Sequence, residues 1–123
     1  MLTATYAAAL ALGFVALSLR TIALRRRSGV ALGGGDSPAL ERAMRAHGNF
    51  AEYVPLALIL IVLLELRDGA GMTIHLLCGV LIAGRVSHAL AVSRIDEPVR
   101  LRVLGMVLTL GVLISASTRL LLG

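Results

Sequence analysis

Three groups of ionisable side chains sit inside or beside otherwise apolar runs, and these are the residues able to do chemistry. The first lies on Glu41–Pro55, ERAMRAHGNFAEYVP, which places Arg42, Arg45, His47, Asn49 and Glu52 ahead of an uncharged run from Tyr53 to Leu64. The second is Arg85 with His88, and the third is Arg100 with Arg102. Together they hold more guanidinium than carboxylate. Such an excess points to an anionic guest, because Arg grips carboxylates in a planar fork. The competing reading is that the arginines snorkel and mark a membrane boundary. That suits Arg94 and Arg102 better than Arg45 and Arg85, which have polar company inside apolar runs.

Helical periodicity sharpens the first group. At 100° per residue, Arg42, Arg45, Asn49, Glu52 and Leu56 fall in a stripe roughly 80° wide, with Met44, Ala51 and Val54 opposite. Asn49 is then expected to bridge the Arg and Glu of that stripe. Glu52 is expected to pair with Arg45 or with Arg85 of the next helix, since neither charge is tolerable alone in hydrocarbon. His47 points about 200° from Arg45, toward an interface. His75 lies near a turn and has no evident role, and His88 is one turn from Arg85, able to orient it or touch a ligand. Cys78 reads as a packing residue, because a thiol in apolar surroundings stays protonated. The single Cys excludes an internal disulfide, and scattered histidines offer no metal site. Glu65 and Arg119 are expected to pair near the other end of the helices.

The elements that position these groups are four membrane-spanning helices. A 123-residue chain with 58% hydrophobic residues and mean hydropathy +0.90 could not hide that apolar surface in a soluble core. Net charge +5 and pI about 11.0 would suit nucleic acid, but the arginines stand at segment ends, where membrane topology and anionic headgroups account for them. The expected spans are residues 2–24, 38–66, 72–93 and 98–121, forming one domain over 1–123, an all-α integral membrane four-helix bundle. In the first span the charges Arg20, Arg25, Arg26 and Arg27 follow the apolar run, the reverse of a signal peptide. Gly33, Gly34, Gly35, Asp36, Ser37 and Pro38 make a loop, with Ser37 as N-cap and Pro38 at the first helical position of the second span. That span, about 43 Å long, overshoots a bilayer core of about 30 Å. Seven arginines at one end of the helices against Arg67 and Arg119 at the other put the first end in the cytoplasm and both termini outside.

The block Arg42-Ala-Met-Arg45-Ala-His47-Gly-Asn49-Phe-Ala-Glu52-Tyr53-Val-Pro55 resembles the hallmark of the MAPEG family, the membrane-associated proteins in eicosanoid and glutathione metabolism. Gly84-Arg85-Val86-Ser87-His88-Ala89 and Pro98-Val99-Arg100 are similar to the third- and fourth-helix motifs of its prostaglandin E synthase branch. The resemblance implies a homotrimer in the bacterial inner membrane, with glutathione between neighbouring subunits near the cytoplasmic face. Arg45, Asn49, Glu52, Tyr53, Arg85 and His88 would hold it. Arg100 would stabilise its thiolate, with Arg102 as the alternate. A nearby guanidinium lowers a thiol's pKa, which fits that role. The resemblance also implies a lipophilic electrophile arriving from the surrounding lipid. The chain departs from the branch at Val92, Leu101 and Leu104, where tyrosine, serine and tyrosine occur, so prostaglandin isomerisation is not expected.

Three functions follow as expectations. One is a glutathione-dependent transferase or peroxidase. Another is a non-catalytic lipid-binding or scaffold protein of the same fold, favoured by the missing hydroxyls. The last is a small transporter subunit using the buried charges. The intact second-helix motif and Arg100 favour the enzyme.

Overall fold

The computed structural model describes residues 1–123 as four α-helices and no strands: α1 Leu2–Ser28, α2 Pro38–Asp68, α3 Met72–Val92 and α4 Val99–Leu122. Each is long and apolar enough to cross a membrane. The expected all-α membrane bundle is therefore what the chain forms.

Local chemistry explains the helix ends. α1 continues past residue 24 through Arg25, Arg26 and Arg27 and stops where Gly29 takes φ 64°, a left-handed conformation that costs glycine little. Arg25 then turns back to donate to the carbonyls of Val30 and Gly33, so the loop after the helix is held by the arginine before it. α2 starts as its sequence dictates. Ser37 accepts from the Leu40 amide at 3.2 Å, Pro38 fills a first-turn position and Glu41 faces the helix's positive end. The helix continues through Pro55, whose missing N–H leaves the Ala51 carbonyl without its usual donor.

Packing divides the bundle unevenly. α3 and α4 lie closest, because Gly84 and Gly105 face each other: a Cβ on Gly105 would meet the Gly84 carbonyl at 2.7 Å. Small residues let helix backbones approach in this way where lipid supplies no hydrophobic drive. α2 touches the other three helices, whereas α1 rests on α2 and α3 and never meets α4. The core runs through Leu10, Phe50, Val54, Ala57, Ile61, Cys78, Leu81 and Val112, so Cys78 is the packing residue its surroundings suggested. Only 23 of 123 residues are buried, and large apolar side chains such as Leu12, Ile59, Val107 and Ile114 point outward. In water that surface would aggregate; against lipid or another copy of the chain it is at home.

α1 and α2 are joined by aromatic packing. The His47 ring stacks on Phe14 with centroids 4.6 Å apart, and its Nε2 lies 3.0 Å from Ser18 Oγ. His47 thus faces away from the Arg45 stripe, as the helical wheel requires.

Candidate functional site

At the loop end of the bundle, α2 and α4 part to form a cleft of about 710 Å³ floored by α3. One face of α2 supplies Glu41, Arg42, Arg45 and Asn49. The floor is His88 and Val92. Arg102, Val103, Met106, Val107 and Leu110 form the α4 wall, and Glu97 of the connecting loop closes the mouth. The volume suits a small organic ligand. Its mouth is cationic and its inner end on α4 is apolar, so a polar ligand and a greasy one could meet there.

Behind the cleft stands Arg85, 2% exposed. Its Nη1 donates to Asn49 Oδ1 at 2.5 Å, its Nε to Thr109 Oγ1 at 3.0 Å and its Nη2 to the Gly105 carbonyl at 3.4 Å. The Tyr53 ring lies 5.7 Å from its guanidinium carbon, within cation–π range. Gly105 makes this possible, since a side chain there would strike the His88 backbone at 2.7 Å. One arginine thereby ties α3 to α2 and α4, and it fixes which face of Asn49 is turned to the cleft. Asn amide groups offer both a donor and an acceptor. With Oδ1 spent on Arg85, the NH₂ is the part left for a guest.

Three expectations about these charges are corrected. Asn49 does not bridge the arginines and glutamate of its own helix; its oxygen goes across to α3. Arg85 takes only neutral acceptors, and Glu52 forms no ion pair within the chain but lies exposed one turn beyond Asn49 on the same stripe. The wheel placed Glu52 on the correct face, but α3 presents Arg85 nearer Asn49, and the shorter amide fits the gap. Glu65 likewise does not pair with Arg119. Its carboxylate, 6% exposed, accepts from the Leu2 amide, the Thr3 amide and the Thr3 hydroxyl, while Arg119 approaches Asp68 at 3.8 Å.

The structure brings Arg45, Asn49 and His88 together on the cleft, with Arg85 and Tyr53 directly behind. Glu52 continues their stripe. Arg100 is exposed on α4 and outside the cleft, whereas Arg102 lines it. Two participants escaped the sequence reading. Thr109 is the first hydroxyl of α4, set in an apolar run four residues after Gly105, and that spacing was the available signal. Glu97 looked like part of a charged turn, yet its carboxylate lies 2.9 Å from Arg102 Nη1 and 3.5 Å from Arg42 Nη1.

The sequence model of the MAPEG family matches residues 3–122. The chain is also similar to the inner membrane protein YecN of Escherichia coli K12, 38% identical over 89 residues, which cover 72% of this chain and 67% of that protein. The YecN protein of Escherichia coli strain CFT073 matches to the same extent. No solved structure matches. With four spanning helices and these relatives, the chain is a multi-pass integral membrane protein.

Proposed function

The chain belongs to the MAPEG family, and on that premise we propose that it is a glutathione-dependent transferase or peroxidase acting on lipophilic electrophiles. The observation that carries the reading is the α2–α4 cleft, where Arg45, Asn49 and His88 converge beside an apolar wall. Arg45 forms no ion pair in the chain, and so remains available for a glutathione carboxylate. Asn49, held by Arg85, offers its amide NH₂ to the peptide backbone. The wall of Val103, Val107 and Leu110 would receive the electrophile from the bilayer.

The cleft is open along α2 and α4, and Glu52 lies exposed within a membrane-spanning helix. A second copy of the chain would cover both, which supports the trimer and a ligand held between copies. Arg100 stands on the open face of α4 without an ion-pair partner in its own chain, whereas Arg102 is already tied to Glu97. We therefore keep Arg100 as the residue that stabilises the glutathione thiolate, and Arg102 as the lesser contributor. Chemistry would run by attack of that thiolate sulfur on the electrophile, with the guanidinium holding the sulfur's own proton off at neutral pH. The bond to sulfur would form as the leaving group departs with its electron pair or, for a hydroperoxide, as the O–O bond breaks and the alkoxide takes a proton from water. The relatives' description as inner membrane proteins and the arginine-rich end favour an inner-membrane chain with the cleft facing the cytoplasm and both termini outside.

Val92 favours the second reading, a lipid-binding or scaffold protein. It puts an isopropyl group on the cleft floor where a hydroxyl would help hold a peptide. The two separate on one experiment. Glutathione added to the purified protein in mild detergent should raise the thiolate absorbance at neutral pH, and Arg100→Ala should abolish that signal while binding persists. Binding with no thiolate signal in the wild-type protein moves the scaffold reading ahead.

A further inference from the structure

Two of the cleft's guanidiniums are already satisfied, and by the chain's own acid. Glu97 reaches in from the α3–α4 loop with its side chain 12% exposed. Both its oxygens lie near Arg102 Nη1, at 2.9 and 3.1 Å, and Oε2 is 3.5 Å from Arg42 Nη1. The contrast with its loop neighbour is plain. The Arg94–Asp96 pair one residue away lies in the open, its side chains 61% and 75% exposed. Glu97 instead stands in the lining of the cleft, between an arginine of α2 and an arginine of α4.

We propose that Arg42 and Arg102 form a seat for a ligand carboxylate, which Glu97 fills in the unliganded chain, so that an acidic ligand enters by displacing it. Two cations from different helices converging on two carboxylate oxygens would serve any carboxylate equally well. The exchange keeps both guanidiniums paired and therefore carries little electrostatic penalty. Partly exposed pairs of this kind are also weak enough to trade partners. Arg42 has a second anchor, the Val92 carbonyl at 3.2 Å, which keeps it in place when the acid leaves. Arg20 holds the neighbouring loop residue through the Ser93 carbonyl at 3.1 Å. The movement is thus confined to the Glu97 side chain and its immediate backbone. Glu41, the other carboxylate on the cleft, forms no ion pair with either arginine, so Glu97 alone masks the seat.

The proposal rests on the reading that the cleft takes a peptide carboxylate such as glutathione, and its test separates the two. Sulfate and glutathione are each titrated into the detergent-solubilised wild-type protein and into Glu97→Gln, which keeps the side chain's shape without its charge. Glu97→Gln should bind sulfate about tenfold more tightly, as the loss of two competing ion pairs implies. The gain should shrink with added salt and vanish in Glu97→Gln with Arg102→Met. Glutathione should gain similarly. Equal sulfate affinity in the two proteins overturns the proposal. So does weaker glutathione binding by Glu97→Gln, which would make Glu97 a contact for the ligand's ammonium. A sulfate gain in proteins that both ignore glutathione upholds the seat and removes the glutathione reading. If Glu97→Gln does not fold, Glu97→Asp, whose shorter carboxylate cannot span both arginines, should show a smaller gain of the same sign, and none at all would count against the seat.

Discussion

The two ends of this bundle treat charge in opposite ways. At the end holding the termini, polar groups are consumed within the chain. Glu65 takes three donors from the start of α1, the Tyr6 hydroxyl meets His75 Nδ1 at 2.7 Å, and Arg67 donates to the Arg119 and Leu120 carbonyls that close α4. At the loop end the helices part, cations outnumber acids on the cleft, and Arg45, Glu52 and Arg100 have no ion-pair partner. Both ends lie on the same four helices, so the difference comes from which side chains each end brings together. A self-satisfied end holds a fold together. An end with charges left over is free to receive a ligand or a second copy of the chain.

The largest effect is expected at Glu65. Glu65→Ala should lower the melting temperature more than a substitution at Gly105, Glu52 or Asp96, because three donors at the start of α1 lose their acceptor together. Glutathione binding at the opposite end should survive in the fraction that remains folded. A mutant as stable as the wild type would show that the closed end is not what fastens α1.

Gly105→Ala comes next and strikes the open end through its backbone. The added methyl would meet the Gly84 carbonyl and the His88 amide at 2.7 Å, so α3 and α4 must separate. Overpacking of this kind should cost about 2 kcal/mol, and the shift of Arg85 should loosen Asn49. Gly111, with nothing within 4 Å, is the control; Gly111→Ala should change chemical-denaturation stability by less than about 0.5 kcal/mol or raise it slightly.

Glu52→Ala separates the protomer's own stability from its assembly. The residue is exposed in the single chain, so unfolding of the protomer should shift by no more than about 0.5 kcal/mol. If its partner is on a second copy, native mass spectrometry should show the proposed trimer for the wild type and its loss in the mutant. A trimer that persists in the mutant would place Glu52 against lipid or ligand alone.

The smallest effect belongs to the loop. Arg94 beside Asp96 holds that carboxyl below the usual carboxylate range. A lowered folded-state pKa contributes stability at neutral pH that fades only as pH falls through that value. The pair is open to solvent, so Asp96→Asn should leave the melting temperature unchanged between neutral and mildly acidic pH.

Much of this architecture was legible in the sequence. Long apolar runs, the Ser37-Pro38 start of α2 and the arginines after α1 specify four helices almost without tertiary information. The face shared by Arg42, Arg45 and Asn49 follows from periodicity alone, and the structure puts all three on the cleft. Partners were harder to read. A helical wheel gives an angle but not the depth at which a neighbouring helix presents its side chain. Arg85 therefore met Asn49 and Thr109 in place of Glu52. Glu65 found the backbone amides of α1, a donor set that no residue code displays. Glu97 was invisible as a cleft residue because its position depends on how the α3–α4 turn folds inward.

Calorimetric titration of glutathione into the purified protein in mild detergent, beside Arg45→Ala with Asn49→Ala, decides whether the cleft is a glutathione site. Saturable binding by the wild-type protein is expected, with its loss in a double mutant that still folds but melts somewhat lower, because the buried Arg85 loses its Asn49 acceptor. Binding that survives the double mutant, or its absence from a folded wild-type protein, would contradict the assignment of the cleft to glutathione.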